Sequence, residues 1–189
     1  MRRAADLALA ALAAVVALPL ALLIAVLLRW TTGGPVLQRQ VRTGRYGREF
    51  QVLRFRAGGD GRLASLLRRT GLEELPRLWN VARGEMGVVG PRPADPDQVG
   101  RYSRRERGRL AVRPGLTGWA QLHAVRRART SRPLSGPEWA ELDLWYVEHR
   151  SLGLDLRILG LTVLALLRPD SGGGPDAGRT PGVGPEPPR

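Results

Sequence analysis

Cysteine is absent from this chain of 189 residues, and histidine occurs only twice, at His123 and His149. Disulfide bonds and thiolate metal sites are therefore excluded, and two histidines so far apart argue against a histidine-based zinc site. The P-loop pattern Gly-x-x-x-x-Gly-Lys-Ser/Thr, the dinucleotide pattern Gly-x-Gly-x-x-Gly and the Gly-x-Ser-x-Gly elbow are also missing. Neither a common nucleotide-binding loop nor a serine-hydrolase elbow is indicated.

Acidic residues are scarce relative to basic ones, and the formal net charge is +13, mostly from arginine. Such a surplus suggests a polyanionic partner, which can be nucleic acid, an anionic membrane surface or a phosphorylated substrate. The five tryptophans are scattered, without the alternation of aromatic and basic residues that single-strand nucleic-acid platforms use. We therefore expect no nucleic-acid partner.

The longest apolar run extends from Ala4 to Leu28 and is interrupted only by Asp6 and Pro19. About 25 residues can cross a hydrocarbon core of about 30 Å as a straight helix. Arginines flank both ends of the run, however, so both ends prefer the cytoplasm under the positive-inside rule. Pro19 is expected to kink the helix because it removes the backbone hydrogen bond to the Val15 carbonyl. A re-entrant helix, a membrane-spanning anchor and a cleaved signal peptide are the three interpretations.

The remaining patterns predict an α/β fold of the helix-rich α+β type. Strand-like composition at Val36–Val41 and Glu49–Phe55, around a Gly-rich turn, predicts a small β-hairpin. Helices are predicted at about Arg62–Arg69, Leu75–Val81, Ser103–Leu110, Pro137–Val147 (with Ser135 as its cap) and Leu154–Leu167. The last helix is short for a bilayer and is expected in a core or at a membrane interface. Beyond Pro169 the Gly- and Pro-rich composition predicts disorder.

Two adjacent carboxylates, Glu73 and Glu74, lie in the most informative segment of the chain. In a cationic setting such a pair suits phosphate chemistry, since one carboxylate can attack phosphorus while the other holds a divalent metal. Downstream, Arg92 is held in extended backbone by a proline on each side. The alternative is that Glu73 and Glu74 are exposed acidic residues in the first turn of a helix, and that the segment around Arg92 is an ordinary loop. Arg113–Gly118 is predicted to be a β-turn that carries a basic residue.

Read together, these segments resemble the bacterial sugar transferase family, the monotopic phosphoglycosyl transferases that use polyprenyl phosphate. The matching stretches follow in order: the basic start with Asp6, Gly34–Gln40, Phe55-Arg56, Arg68–Val81, Val89–Pro93, Arg113–Gly118 with Ala120-Gln121, and Glu141–Asp143 with Tyr146–Glu148. The resemblance implies a re-entrant helix over residues 1–30, a catalytic domain over 31–168 at the cytoplasmic face of the cell membrane, and a disordered tail over 169–189. It also implies three partners, namely a UDP-sugar, undecaprenyl phosphate and the lipid bilayer, and it leaves a homodimer open.

The family's chemistry implies that an acidic nucleophile attacks the sugar-bearing phosphate, releases UMP and forms a covalent phosphosugar, which polyprenyl phosphate then accepts. By position, Glu73 falls on the nucleophile and Glu74 on the Mg²⁺ ligand. The resemblance implies substrate or phosphate binding for six further residues: Arg54, Arg56, Arg68, Arg92, Arg113 and Asp143. The family has Asp where this chain has Glu73, and the added methylene moves the carboxylate by roughly 1 Å. The alternative hypothesis is a catalytically impaired member that acts as a membrane-bound binding or scaffold protein.

Overall fold

The computed structural model describes residues 2–57, 61–128 and 133–167. Its main elements are α1 (Arg2–Thr32), β1 (Leu37–Thr43), β2 (Glu49–Phe55), α2 (Arg62–Thr70), α3 (Arg77–Arg83), β3 (Gly87–Val89), α4 (Pro96–Gly100), β4 (Gly115–Thr117), α5 (Trp119–Ala128), α6 (Gly136–His149) and α7 (Leu152–Leu167). Short 3₁₀ helices lie at Arg45–Gly47, Leu72–Glu74 and Glu106–Ala111. The helix-rich α+β class is confirmed, while the predicted tail at 169–189 lies outside the described residues.

The first helix is bent where its sequence contains proline. The axes of its two parts, Asp6–Val15 and Ala17–Thr32, differ by 55°. The bend lies one turn before Pro19, whose ring displaces the carbonyl four residues earlier, so the predicted kink is present. No single helix among the described residues is long and apolar enough to cross a membrane, whereas the two parts of α1 satisfy length and composition when taken together.

Both parts of α1 contact the rest of the protein. Near the beginning, the Asp6 carboxylate accepts a hydrogen bond of 3.1 Å from the Val88 backbone N–H in β3. The second part packs into a buried apolar cluster, formed by Ile24, Leu28, Phe55 and Leu67. Between these contacts several apolar side chains stay exposed, among them Val15, Leu18, Leu22 and Leu23. The helix is therefore attached near each end and presents an apolar surface in between.

The predicted hairpin is confirmed. β1 and β2 pair antiparallel in a register that runs from Leu37 opposite Phe55 to Thr43 opposite Glu49. The buried Asn80 connects α3 to this hairpin, because its side-chain oxygen accepts a hydrogen bond from the Leu53 N–H at 3.2 Å. Its amide nitrogen donates to the Gln51 carbonyl at 2.7 Å. Through these bonds the helix that follows the two glutamates is held against β2.

The predicted β-turn at Arg113–Gly118 is wrong. Its residues Gly115–Thr117 form β4, which pairs in parallel with β3. Glycine permits this close approach, since a Cβ on Gly115 would lie 2.1 Å from the Gly90 backbone nitrogen. A Cβ on Gly118 would likewise lie 2.2 Å from the Gly90 carbonyl oxygen. The strand pair places the segment that carries Arg92 beside the start of β4.

Two further predictions differ from the structure in their boundaries. The helix expected at Ser103–Leu110 is a 3₁₀ helix at Glu106–Ala111. The Ser103 hydroxyl accepts from the Glu106 N–H at 3.2 Å and the Glu106 carboxylate accepts from the Ser103 N–H at 2.8 Å, and residues 104–105 between them form a turn before the helix. The helix expected from Leu75 begins at Arg77, after Pro76. The cap predicted at Ser135 is confirmed, since its hydroxyl accepts from the Glu138 N–H.

Candidate active site

The two glutamates lie in the tight connection between α2 and α3. Gly71 ends α2 with φ 70° and ψ 5°, in the left-handed region that glycine adopts without steric cost. The 3₁₀ helix Leu72–Glu74 follows directly. This connection turns Glu73 inward, so that only 3% of the residue is exposed. The alternative of an exposed acidic pair is therefore wrong for Glu73.

Glu73 faces an arginine of the hairpin. Its Oε1 atom lies 3.9 Å from Arg54 Nη1 on β2, within ion-pair range but too long for a hydrogen bond. A buried carboxylate requires a compensating charge of this kind. The Arg54 Nε atom is buried too, and it has no hydrogen-bond partner in the described part of the chain. Glu73 is thus desolvated, whereas the Arg54 side chain stays 22% exposed, and the contact between them is electrostatic.

Glu74 contacts an arginine of its own segment. Its Oε1 atom lies 2.9 Å from Arg77 Nη2, one helical turn further along. The same oxygen nevertheless lacks any hydrogen bond within the described residues. Distance alone does not make a hydrogen bond when donor and acceptor are poorly aligned. We therefore treat the contact as an ion pair that leaves the hydrogen-bonding capacity of this oxygen unused.

Four guanidinium groups, here called the arginine cluster, lie close enough to influence one another: Arg42, Arg54, Arg77 and Arg92. Two of them, Arg54 and Arg77, contact the glutamates. Burial lowers the pKa of Arg77 to about 10; Glu74 opposes this effect, and the charges of the other three arginines reinforce it. Burial also lowers the pKa of Arg42, against the influence of Asp95, which pairs with it at 2.9 Å. The carboxylates in these contacts are Glu73, Glu74 and Asp95, fewer than the guanidinium groups. The surplus of positive charge suits an anionic ligand.

The remaining predicted site residues lie at varying distances from this cluster. Arg68, at the end of α2, donates to the Ala57 carbonyl at 2.6 Å, and Arg56 is exposed just after β2. Arg113 lines a cavity of 380 Å³, together with Gly44–Arg45–Tyr46, Arg48–Glu49–Phe50 and Gly84-Glu85. Neither Glu73 nor Glu74 lines that cavity. Arg113 and the glutamates therefore do not share this cavity.

Asp143 lies in the middle of α6 and is not a member of the arginine cluster. It is only 1% exposed, and its carboxylate accepts a hydrogen bond from Arg109, which in turn contacts the Tyr102 hydroxyl at 3.1 Å. Burial raises the pKa of Asp143 to about 6, while the charge and hydrogen bond of Arg109 act in the opposite direction. This ion pair joins α6 to the 3₁₀ helix Glu106–Ala111. Its position suits a structural support better than direct contact with a substrate.

Comparison with known proteins gives the family. Residues 1–169 match the family described as "Bacterial sugar transferase". The chain belongs to this family. A member from Bacillus subtilis (strain 168), described as "Uncharacterized sugar transferase EpsL", is 38% identical over 154 residues, which are 74% of this chain and 73% of that protein. The resemblance drawn from the motifs is confirmed.

Two other members of the bacterial sugar transferase family carry a substrate in their names. Proteins named UDP-glucose:undecaprenyl-phosphate glucose-1-phosphate transferase occur in Xanthomonas campestris pv. campestris and Caulobacter vibrioides. The Xanthomonas protein is 36% identical to this chain over 170 residues, which are 79% of the chain. The Caulobacter protein is also 36% identical, over 190 residues, which are 90% of the chain. The matches cover 35% of the Xanthomonas protein and 71% of the Caulobacter protein.

In this sugar transferase, Arg42 and Arg109 were not among the predicted site residues, and Arg77 was predicted only as part of the cationic setting of the glutamates. The spacing of Arg77 from Glu74 is a usable signal, because residues three apart face each other on a helix. Arg42 and Arg109 carry no such signal. Their partners, Asp95 and Asp143, lie 53 and 34 residues further along the chain.

Proposed function

We propose that this chain transfers a sugar phosphate from a UDP-sugar to undecaprenyl phosphate through a covalent phosphosugar on Glu73. The observation that carries the proposal is the buried Glu73 carboxylate, 3% exposed and 3.9 Å from Arg54, inside a cluster with surplus positive charge. The names of the two glucose-1-phosphate transferases support the same class of reaction. The product would begin the synthesis of an exopolysaccharide or another glycoconjugate.

The proposed reaction balances without a proton. A Glu73 carboxylate oxygen attacks the sugar-bearing phosphorus, and the bond from that phosphorus to the bridging oxygen breaks, so UMP leaves with the electron pair. An oxygen of the polyprenyl phosphate then attacks the same phosphorus, and Glu73 leaves as a carboxylate. The arginine cluster would balance the charge of the phosphates while an anion approaches them. Arg54 would balance the charge of Glu73 without occupying the carboxylate through a hydrogen bond.

We also propose Glu74 as the residue that holds Mg²⁺. Among the described residues no three His, Cys, Asp or Glu side chains form a metal site. Magnesium requires no such cage, since it commonly binds one or two carboxylates together with substrate phosphates and water. The Glu74 carboxylate, whose Oε1 atom makes an ion pair with Arg77 but no hydrogen bond within the described residues, would share its charge between that guanidinium group and the cation. The bound cation would supply further positive charge at the phosphates.

For α1 we propose a re-entrant arrangement at the cytoplasmic face of the cell membrane. The bend near Pro19 supports it, as do the contacts of both helix parts with one protein body and the apolar surface between those contacts. A membrane-spanning helix would place its two ends on opposite sides of the bilayer.

Single-cysteine labelling tests this arrangement, and the absence of native cysteine makes each label unique. We expect Arg3→Cys and Gly33→Cys, at the two ends of α1, both to react with a membrane-impermeant maleimide in inverted vesicles. Neither should react in intact spheroplasts, and Ser103→Cys in the exposed body is the control for the cytoplasmic side. Labelling of Arg3→Cys in spheroplasts would reject the re-entrant arrangement in favour of a membrane-spanning helix.

A shorter acidic side chain at position 73 distinguishes the hypothesis of an active enzyme from that of a catalytically impaired scaffold protein. If the site is built around glutamate, Glu73→Asp retracts the carboxylate by roughly 1 Å and lowers the rate of UMP release by up to about 10²-fold. An impaired family member would instead gain activity when the aspartate of the family pattern is restored. The measurement is UMP release from a set of UDP-sugars, with undecaprenyl phosphate and Mg²⁺ present, by protein in detergent micelles.

A further inference from the structure

Arg77 is the most deeply buried member of the arginine cluster, with 5% of the residue exposed. Its Nη2 atom contacts Glu74, but its Nε and Nη1 atoms are both buried and have no hydrogen-bond partner in the described part of the chain. Buried guanidinium nitrogens normally donate to an acceptor, since desolvation without one is unfavourable. Two unused donors on one buried side chain point to an acceptor that is not among the described residues.

The charges around Arg77 specify the kind of acceptor. Arg92, Arg54 and Arg42 all lie close enough to oppose its positive charge, whereas Glu74 stabilises it. Arg54 adds a third buried nitrogen that has no hydrogen-bond partner among the described residues, its Nε atom. A neutral ligand would satisfy the donors but leave the mutual repulsion of the guanidinium groups. An anion with several oxygen acceptors satisfies both requirements, and a phosphoryl group is such an anion.

We infer that Arg77 binds a phosphoryl group of a substrate through donors that the described residues leave unused, while its Nη2 atom contacts Glu74. Neither the family motifs nor the relatives assign this role. The inference rests on the proposed function, because that function supplies the phosphates. Two substrates carry the same chemistry, namely the diphosphate of the UDP-sugar and the monophosphate of the polyprenol.

Ligand-induced stabilisation tests the inference without catalysis. Full-length protein in detergent micelles is titrated with UDP, and separately with farnesyl phosphate as a short polyprenyl phosphate, in EDTA so that only protein groups contribute. The melting temperature is followed for the parent, Arg77→Gln and Arg83→Gln. Arg83 is the matched control, because it lies on the same helix and also pairs with a glutamate, Glu85 at 3.3 Å, but its side chain is 60% exposed.

We expect Arg77→Gln to weaken the apparent affinity by about 10- to 100-fold, as for the loss of charge-assisted hydrogen bonds, and Arg83→Gln to match the parent. A loss confined to UDP identifies the nucleotide diphosphate as the ligand. A loss confined to farnesyl phosphate identifies the acceptor phosphate, and a loss of both identifies a shared subsite. Equal affinities of a folded Arg77→Gln and the parent for both probes would overturn the inference.

A second pair of variants covers the case in which Arg77→Gln does not fold. Arg77→Lys keeps the charge but not the planar set of donors, and it should bind the probe more weakly than Arg83→Lys. Equal binding by these two variants would also overturn the inference. Because UDP binding needs no attack by Glu73, the result is separate from the reaction itself. Arg77-dependent binding in a protein that releases no UMP would reject the proposed function and leave this inference standing.

Discussion

Glu73→Gln is expected to lower UMP release from the UDP-sugar by about 10⁴-fold or more, the scale seen when a covalent nucleophile is removed. Glutamine has nearly the same shape as glutamate, but its amide is a very poor nucleophile toward phosphorus. Because Glu73 meets Arg54 through an ion pair of 3.9 Å and not through a hydrogen bond, the neutral amide should be accommodated. The parent fold is therefore expected to persist in the inactive variant.

The matched control is Glu141→Gln, on the exposed surface of α6, where the glutamate pairs with Arg105 at 2.8 Å. It should release UMP at the parent rate. Mass spectrometry of parent protein mixed with UDP-sugar in the absence of polyprenyl phosphate should find the phosphosugar on the peptide that contains Glu73. Turnover by Glu73→Gln within about tenfold of the parent, or an adduct on another residue, would contradict the assigned nucleophile.

Asp143→Ala is expected to destabilise the protein by about 3–5 kcal/mol, the cost of removing one partner of a buried ion pair. Asp143 and Arg109 are 1% and 8% exposed, so the substitution leaves a guanidinium group desolvated and uncompensated. The pair also connects α6 to the 3₁₀ helix Glu106–Ala111, so we expect this junction to loosen first. Urea unfolding followed by tryptophan fluorescence gives the free-energy difference.

Glu141→Ala provides the comparison for this loss, since its ion pair with Arg105 is exposed on both sides. Such pairs contribute at most about 1 kcal/mol. If Asp143→Ala and Glu141→Ala unfold at the same urea concentration, the buried pair is not a structural support. Direct substrate binding by Asp143, as the family resemblance implies, would then be the better explanation of this residue.

Several elements could be predicted because the deciding interactions are local. Pro19 bends α1 through its own missing N–H, and the Ser135 cap acts on a backbone group three residues away. Strand-like composition on both sides of a Gly-rich turn was sufficient to predict the hairpin. β3 and β4 were missed because each is only three residues long, and their pairing depends on glycines that let two distant backbones meet. In isolation such a segment has the composition of a turn.

The sequence alone determined the family, the chemistry available at Glu73 and Glu74, and the bend in α1, because these depend on residue types and on neighbours along the chain. The tertiary structure decided which charges face one another. Arg54 and Arg92 are 38 residues apart, and they come close to Arg77 only because β2, α3 and the segment after β3 pack together. Burial is likewise a property of packing. It encloses the Glu73 carboxylate and the ion pair of Asp143 with Arg109, and it leaves two donors of Arg77 without an acceptor among the described residues.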